Sequence, residues 1–366
     1  MELTKIVITG GPCAGKSTAL SKIQKVFTDM GYKVLVVPET ATELITGGVA
    51  PWTCKTNVEY QKCQMELQLK KEKLFLRAAE GMDCEKMLIL CDRGALDNKV
   101  YMSDEDFHTV LDFVGMSEIE LRDSYDAVIH LVSAANGAAE FYTTENNSAR
   151  TETVEQAIEL DNKLIAAWTG HRHLRVINND RDFENKIRNV INEICAFLGD
   201  GSPVEIERKF LIESPDIEWL ENIKNCRKVE IIQTYLLPDG EGDQRIRQRG
   251  IDGNFTYYHT RKVRINDLSA IETERRLTKD EYLAYLMESD TSKRQIRKTR
   301  YCLTHENQYF EIDVYPFWKD KAILEIELHT EDQKIVFPDN IKIISEVTHD
   351  PRYKNSNLAK DAFAEK

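Results

Sequence analysis

The spacing of apolar residues changes once along this chain of 366 residues, near residue 200. Before that point, short and continuous apolar runs alternate with longer stretches of helical spacing. The runs are KIVITG, KVLVVPE, MLILCD, AVIHLV and LRVINN, and the helical stretches are 16–30, 57–80, 152–168 and 182–199. Continuous apolar strands that alternate with helices indicate a parallel sheet covered on both faces. Residues 1–200 are therefore predicted to form a doubly wound α/β domain.

From residue 204 onward, apolar and polar residues alternate with the period of two that is typical of half-buried β-strands. Eight segments have this pattern: 204–213, 228–237, 243–250, 254–264, 270–277, 295–304, 307–316 and 321–329. Between them, TKDEYLAYLMES at 278–289 predicts a helix, with Thr278 as its N-cap and Glu281 completing a capping box. Residues 204–366 are therefore predicted to form an antiparallel eight-stranded sheet, closed or nearly closed into a barrel or tunnel, with few helices.

Charge and cysteine usage limit the partners and the compartment that are expected. The formal net charge of -13 argues against a general polyanion binder, so no nucleic acid partner is expected. The eight cysteines contain no C-x-x-C pair, which favours reduced thiols. No apolar run reaches the length of about 18 residues that a transmembrane helix needs, and the first residues, MELTKIVITGG, lead directly into a strand. The chain is expected to be cytoplasmic, without a transmembrane segment.

The stretch GGPCAGKST fits the phosphate-binding pattern G-x-x-x-x-G-K-[ST], and it follows the strand KIVIT and opens a helix. In that setting, backbone N–H groups and the helix N-terminus surround phosphates, while Lys16 neutralises them and Ser17 binds Mg²⁺. The predicted ATP or GTP contacts are Gly10, Gly11, Pro12, Ala14, Gly15, Lys16, Ser17 and Thr18. A glycine turn that binds nothing is the alternative, and the matched strand and helix argue against it.

Two acids and one arginine are candidates for chemistry beside this loop. Asp92 ends the strand LILCD, from which a carboxylate reaches the metal or its water shell, although an Asp at that place is commonly only a helix cap. Glu39 ends VLVVPE and is a candidate base for an attacking hydroxyl, with a solvated loop acid as an equal alternative. Arg150 ends the Gly- and Asn-rich stretch 133–150, which is typical of a mobile lid that presents a cation and nearly as typical of a surface loop.

In the second half, the charges of the predicted strands separate by sign. Residues two apart on a strand point to the same face. The acidic same-face sets are Glu205 with Glu207, Glu272 with Glu274, Glu311 with Asp313, and Glu325 with Glu327. The basic sets are Arg245, Arg247 and Arg249; Thr260 with Lys262; and Lys298 with Arg300. A wet outer face is the alternative, but such a face usually mixes both signs within one strand.

If these faces point inward, they line a lumen that holds carboxylates together with guanidinium and ammonium groups. Buried charges are stable only when they pair with each other, or when a ligand and a metal ion complete them. Carboxylates suit a hard divalent cation, and arginines and lysines suit a chain of phosphates. The pattern therefore predicts a metal-bound oligophosphate in the lumen, whose first strand carries Glu205, Glu207 and Lys209.

The first half resembles the P-loop kinase-like ATPase domains related to nicotinamide riboside kinase. The resemblance lies in GGPCAGKST, VVPET, LILCDRGALD and NNSARTETVEQA. It implies that this half binds ATP or GTP, and it leaves open whether the domain phosphorylates a small molecule.

The second half resembles the CYTH domain of the triphosphate tunnel metalloenzymes over residues 204–360. The matching segments are EIERK, IIQTYL, RIRQR, ETERRL, IRKTRYC, EIDVY, ILEIEL and EVTHDPRYKNSNLA. The resemblance implies an eight-stranded tunnel that uses Mg²⁺ or Mn²⁺ and acts on triphosphorylated compounds. Carried over by position, the implied metal ligands are Glu205, Glu207 and Glu327, with Glu325 and Asp313 as further acids. The implied phosphate contacts are Lys209, which is also implied as catalytic, and Arg245, Arg247, Lys262, Lys298 and Arg300.

Nearly the whole chain resembles the TRPL translocation defect protein family, which implies GTP or ATP binding together with phosphoinositide binding. Two hypotheses follow. In the first, the tunnel is a metal-dependent phosphohydrolase of tripolyphosphate or an organic triphosphate, coupled to nucleotide binding by the first half. In the second, the protein is a nucleotide-regulated adaptor whose tunnel binds phosphoinositide headgroups without hydrolysis. The carboxylate pairs favour hydrolysis, because acids that can hold a metal are costly to keep without one.

Overall fold

The computed structural model describes residues 2–137, 153–179, 182–199, 206–238, 243–264, 270–328 and 333–361. The chain divides into two compact units, Met1–Asn192 and Glu193–Lys366. Among the residues that are described, none of the helices has both the length and the apolar character needed to cross a membrane.

The first unit is built on a five-stranded parallel sheet with the order β2-β3-β1-β4-β5. Its strands are β1 Glu2–Thr9, β2 Lys33–Val37, β3 Lys86–Asp92, β4 Ala127–Leu131 and β5 Leu174–Ile177. The central strands are continuously buried, with Ile6, Leu88 and Val128 fully inaccessible to solvent. This burial explains why their sequences are apolar throughout, and the predicted α/β fold is confirmed.

Seven helices lie within the described residues up to Leu198, the last of which crosses the boundary between the units. They are α1 Lys16–Asp29, α2 Thr40–Thr46, α3 Asn57–Glu80, α4 Asp104–Val114, α5 Glu118–Arg122, α6 Val154–Trp168 and α7 Phe183–Leu198, and a 3-10 helix spans Ala95–Tyr101. The four helices that the spacing predicts are present, with ends within two residues of the predicted ones. Most have a side-chain N-cap such as Thr56 or Thr153, but α1, whose N-cap residue is Gly15, has none.

The second unit is an antiparallel sheet of nine strands with the order β10-β9-β8-β7-β11-β12-β13-β6-β14. The strands are β6 Ile206–Glu213, β7 Cys226–Tyr235, β8 Asp243–Ile251, β9 Asn254–Arg264, β10 Ala270–Leu277, β11 Ile296–His305, β12 Gln308–Val314, β13 Lys321–Leu328 and β14 Ile343–Glu346. Its helices are α8 Ile217–Asn222, α9 Lys279–Tyr285 and α10 Asn355–Asp361, with 3-10 helices at Leu286–Glu288 and Pro351–Tyr353.

All eight predicted strands are present, and the sheet contains a ninth that the spacing does not predict. This strand, β14, has four residues, all exposed, and its pairing with β6 is irregular between Ile343 and Ser345. The predicted helix at 278–289 is present as α9 followed by a 3-10 turn, and Thr278 and Glu281 form the predicted capping box.

The largest apolar cluster of this sheet lies on one face, and the other face carries the charged residues together with smaller apolar clusters. Phe210, Ile312 and Leu324 belong to a buried cluster that also contains Leu220 of α8. Because side chains alternate along each strand, the neighbouring residues Lys209, Asp313 and Glu325 point to the opposite face. This second face is the one that carries the candidate site.

Candidate functional site

The phosphate loop of the first unit connects β1 to α1 through residues 10–15, and its backbone requires glycine at two positions. Gly10 and Gly15 have φ angles of 144° and 87°, in the region that favours glycine. A Cβ on Gly10 would lie 2.1 Å from the carbonyl oxygen of Leu131. The loop therefore holds a fixed shape at the N-terminus of α1, where Ser17 and Thr18 are exposed.

Lys16 lies back across this loop. Its Nζ donates to the carbonyl oxygens of Gly10 and Gly11, at 2.8 and 3.0 Å. Burial, helped by the nearby charge of Arg93, lowers the pKa of Lys16 to about 7. The amine is therefore partly neutral near pH 7, and a phosphate at this position would favour its charged ammonium form.

Glu39 and Asp92 lie at the ends of the adjacent strands β2 and β3, close to Lys16. Burial raises the pKa of Asp92, and the charge of Glu39 raises it further. Burial opposes ionisation of Glu39 as well, but Arg93, Thr42 and Lys16 together outweigh this effect and lower its pKa. The Glu39 carboxylate accepts from Arg93 Nε at 2.5 Å and from Thr42 Oγ1 at 2.5 Å. The structure therefore brings together Lys16, Glu39 and Asp92, and it adds Arg93, which stands in the quoted segment LILCDRGALD but was not predicted.

Asp161 is a second residue that the sequence analysis missed. It is fully buried on α6 and accepts the backbone N–H groups of Gly11, at 2.7 Å, and Ser133, at 3.1 Å. His130 Nε2 lies 3.0 Å from the same carboxylate, and this imidazole helps to lower the pKa of Asp161 although burial opposes it. Asp161 therefore fixes the start of the phosphate loop. The one sequence signal is an acid on the otherwise apolar face of an amphipathic helix.

One face of α3 buries polar residues beside the end of β3. Gln64 Nε2 donates to Asn98 Oδ1 at 2.5 Å, and Gln68 Nε2 donates to the carbonyl oxygen of Arg93 at 3.3 Å. The side-chain oxygens of Gln61, Gln64 and Thr40 are buried and have no hydrogen-bond partner within the described part of the chain. Such oxygens are rare in folded proteins and commonly face a water or a ligand.

In the second unit, the strand register places the predicted charged residues on one continuous face. Glu325 is opposite Lys209 on β6, Arg300 is opposite Asp313, and Arg245 is opposite Thr260. The residues of this face are Glu207 and Lys209 on β6, Arg245, Arg247 and Arg249 on β8, Lys298 and Arg300 on β11, Glu311 and Asp313 on β12, and Glu325 and Glu327 on β13. The predicted sign-segregated sets therefore meet across neighbouring strands.

Arg300 is the centre of a buried charge cluster. Its Nε and Nη2 donate to the two carboxylate oxygens of Asp313 at 2.6 and 2.7 Å, and Nη2 also donates to Glu325 at 2.9 Å. Arg300 also pairs with Glu311, and Lys298 pairs with Asp313. Both oxygens of Asp313, which is fully buried, are thus engaged by cations.

The cluster extends to β6 through Lys209. The Nζ of Lys209 lies 2.6 Å from Glu325 Oε1 and 3.7 Å from Glu207 Oε1. Burial opposes the charged forms, but the paired charges outweigh it: the pKa values of Asp313 and Glu325 are lowered and that of Lys209 is raised. Lys298 differs, because burial and the adjacent Arg300 lower its pKa.

Two predicted metal ligands, Glu207 and Glu327, are directly opposite each other on β6 and β13. A third, Glu205, lies outside the described residues, as does Arg150 of the first unit. Lys262 is placed within β9, but its side chain is not among those described. Within the described parts of the chain, no three acid, histidine or cysteine side chains come together in a group that could hold a metal ion.

The other basic residues of the charged face are the arginines of β8, and one of them lies near an acidic residue of β10. Arg247 Nη1 lies 3.7 Å from Glu274 Oε2, and Thr260 Oγ1 donates to the same oxygen at 3.0 Å. Arg249 is buried. Glu274 thus lies on the charged face, as its predicted acidic set implies.

Comparison with known proteins separates two regions of similarity. Residues 5–186 match a family described as an AAA domain. An inorganic triphosphatase of Acetivibrio thermocellus is 30% identical over 162 residues, which cover 43% of this chain and 95% of that protein. An inorganic triphosphatase of Nitrosomonas europaea is 33% identical over 159 residues, covering 42% and 96%. A crystal structure of an inorganic triphosphatase is 30% identical and covers 43% of this chain and 97% of its own, with a TM-score of 0.31. Over about two fifths of its length, the chain therefore belongs to the family of the inorganic triphosphatases.

Proposed function

We propose that the second unit hydrolyses a phosphoric anhydride bond of tripolyphosphate or an organic triphosphate with the help of Mg²⁺ or Mn²⁺. We further propose that the first unit binds ATP or GTP and that the two events are coupled in the cytoplasm. The observation that carries the proposal is the charged face, on which basic residues of β6, β8 and β11 share one side of the sheet with the carboxylates of β12 and β13. The similarity to inorganic triphosphatases supports it, and we assign that similarity to the second unit.

The basic residues of the face supply the phosphate contacts. Arg245, Arg247 and Arg249 project from alternate positions of β8, so their guanidinium groups follow one line along the strand. Guanidinium groups bind phosphate oxygens in pairs and remain charged at any ordinary pH. Together with Lys209 and Lys262, they would hold successive phosphates of one chain.

The pair Glu207 and Glu327 fits a divalent cation. Like charges directly opposite each other on neighbouring strands destabilise a sheet, and a hard cation with oxygen ligands offsets this repulsion. When bound by these two residues and Glu205, Mg²⁺ or Mn²⁺ would neutralise phosphate oxygens and activate a water. The oxygens of Asp313 and Glu325 already accept from Arg300, Lys298 and Lys209. We therefore assign these two acids mainly to positioning these three basic side chains.

The test is metal-dependent phosphate release from tripolyphosphate by the full chain. We expect release by the parent with Mg²⁺ or Mn²⁺, a loss of at least about a hundredfold in Glu207→Gln/Glu327→Gln, and little change in Lys16→Ala. Glu230→Gln is the matched control, because Glu230 is exposed on β7 and points away from the charged face.

Three other outcomes would contradict the proposal in different ways. No metal-dependent release by the parent would exclude the enzyme. Binding of phosphoinositide vesicles without release would favour the adaptor. Release lost in Lys16→Ala but kept in the double variant would move the reaction to the phosphate loop.

A second candidate function is phosphoryl transfer to a small molecule in the first unit. It is favoured by the side-chain oxygens of Gln61, Gln64 and Thr40, which are buried without a hydrogen-bond partner among the described residues. A ligand with N–H or O–H donors would satisfy these oxygens, and Glu39 is the candidate base for its hydroxyl. ADP formation from ATP in the presence of ribosides or polyols tests this function. A rate that these compounds do not raise, or that Gln64→Ala leaves unchanged, would exclude it.

A further inference from the structure

An exposed aromatic ring lies directly against the phosphate loop. Phe183 is the first residue of α7 and remains 42% exposed. A Cβ built on Gly15 would lie only 2.4 Å from Cε2 of Phe183, so the ring covers the glycine that precedes Lys16. One part of the ring therefore contacts the loop, and the rest faces solvent beside it.

The first turn of α7 is fastened so that this ring has a defined position. Asp182 accepts the backbone N–H of Asn185 at 2.8 Å and thereby caps the helix. Glu184 pairs with Lys22 of α1 at 2.6 Å, on the helix that the phosphate loop opens. A third tie joins α7 to the end of β4, because Lys186 Nζ donates to the carbonyl oxygen of Val132. Phe183 is thus held between two anchored neighbours in the sequence.

The chemistry of this position suits a nucleobase. A nucleoside triphosphate whose phosphates occupy the loop carries a flat heterocycle outside it, and aromatic rings stack on such heterocycles. We propose that Phe183 is the stacking platform for the base of the nucleotide bound by the first unit.

The proposal goes beyond nucleotide binding as such, on which it rests, because it predicts how the base is recognised. Stacking depends on the face of the base, which every nucleobase has, and little on the groups at its edge. The Phe183 contact should therefore contribute similarly to ATP and GTP. Removing the ring should weaken the binding of both nucleotides by a similar factor.

The experiment measures equilibrium binding of ATP and of GTP to the full chain with Mg²⁺. For Phe183→Ala we expect both dissociation constants to rise about tenfold, the effect that one base–aromatic stack commonly has. Phe183→Trp should retain affinity, and nucleotide should change the fluorescence of the new indole. Phe113→Ala is the matched control, because Phe113 is 51% exposed on α4 and belongs to a different surface.

The outcomes separate this inference from nucleotide binding itself. If the parent binds neither nucleotide, or if Lys16→Ala leaves binding unchanged, the first unit has no nucleotide site at the loop and the inference falls with it. If the parent binds and Phe183→Ala binds equally well, the site stands and the stacking role is refuted. The stacking role is also refuted if Phe183→Ala weakens the binding of pyrophosphate, which has no base, as much as it weakens the binding of ATP. In that case the ring would only support the loop.

Discussion

Lys16 is a residue whose protonation we expect to change when a phosphate binds beside it. Its pKa of about 7 means that much of the ligand-free protein carries a neutral amine at pH 7.5. Phosphates that bind there favour the ammonium form and raise this pKa. We therefore predict that binding of ATP takes up between about a half and one proton at pH 7.5, and less at pH 6, where Lys16 is already protonated.

Calorimetry in two buffers of different ionisation enthalpy measures this uptake. Lys25→Met, an exposed lysine of the same helix, should leave it unchanged, and Lys16→Met should abolish it together with tight binding. Equal binding enthalpies in both buffers would show that Lys16 is already charged in the ligand-free protein.

Asp161 stabilises the phosphate loop by accepting the backbone N–H groups of Gly11 and Ser133. Asp161→Ala leaves the N–H groups of Gly11 and Ser133 buried and without this acceptor, and each such group costs about 1–3 kcal/mol. We predict that the free energy of unfolding in urea falls by roughly 3 kcal/mol. Asp112→Ala, at an exposed site on α4, should change it by less than about 0.5 kcal/mol. Similar values for the two variants would mean that the loop does not depend on this carboxylate.

Lys16 and Asp161 show why some site residues can be predicted from the sequence and others cannot. Lys16 and its loop are recognisable because their spacing along the chain is itself the requirement for holding phosphates. Asp161 acts on Gly11 from 150 positions away, so nothing local in the sequence marks the contact. Arg93 is an intermediate case, since it follows a recognised strand-end acid but pairs with Glu39, which lies between β2 and α2.

Among the elements, β11, β12 and β13 depend on each other through Asp313. Asp313→Asn keeps the shape of the side chain but removes the charge that Arg300 and Lys298 share. Breaking one partner of a buried ion pair commonly costs about 3–5 kcal/mol. We predict a loss of this size at pH 7 in urea unfolding, with Asp320→Asn, an exposed residue beside β13, as the control.

The pH dependence of the stability of the same variant tests whether the charge of Asp313 is responsible for the loss. The folded-state pKa of Asp313 is lowered, so its contribution is complete above the unfolded value of about 4 and is lost as the pH falls through the folded value. The difference between parent and Asp313→Asn should therefore shrink below about pH 4. A difference that stays constant down to pH 2 would show that packing, and not charge, makes Asp313 important.

Element length decides which strands the sequence predicts. The eight predicted strands have seven to eleven residues, enough for several apolar and polar alternations. β14 has only four, all exposed, and exists because β6 offers its free edge. Prediction of the charged face from the sequence has a related limit. Alternation shows which residues share a face of one strand, but only the folded sheet shows the register that brings Arg300 to Asp313 and Glu325.

At the scale of the whole molecule, the proposed function gives the two units different means of holding phosphates. The first would surround them with backbone N–H groups at the start of α1, and the second would present side chains from a sheet. We predict that hydrogen exchange separates the two sites. ATP with Mg²⁺ should protect the phosphate loop, and tripolyphosphate with Mg²⁺ should protect β6, β8 and β11. Protection of the phosphate loop alone by both ligands would place triphosphate binding in the first unit.

Coupling between the two sites makes a stricter prediction, because linkage is reciprocal. If ATP changes the dissociation constant of tripolyphosphate by some factor, tripolyphosphate must change that of ATP by the same factor. We expect a factor of about five or more, the lower end of common allosteric effects, measured by titrating each ligand at a saturating concentration of the other. Lys16→Ala should abolish the effect of ATP while leaving tripolyphosphate affinity itself unchanged, and Arg245→Ala/Arg247→Ala should do the converse. Two factors near one would mean that the chain carries two independent phosphate sites, and the proposed coupling would be wrong while each site remained intact.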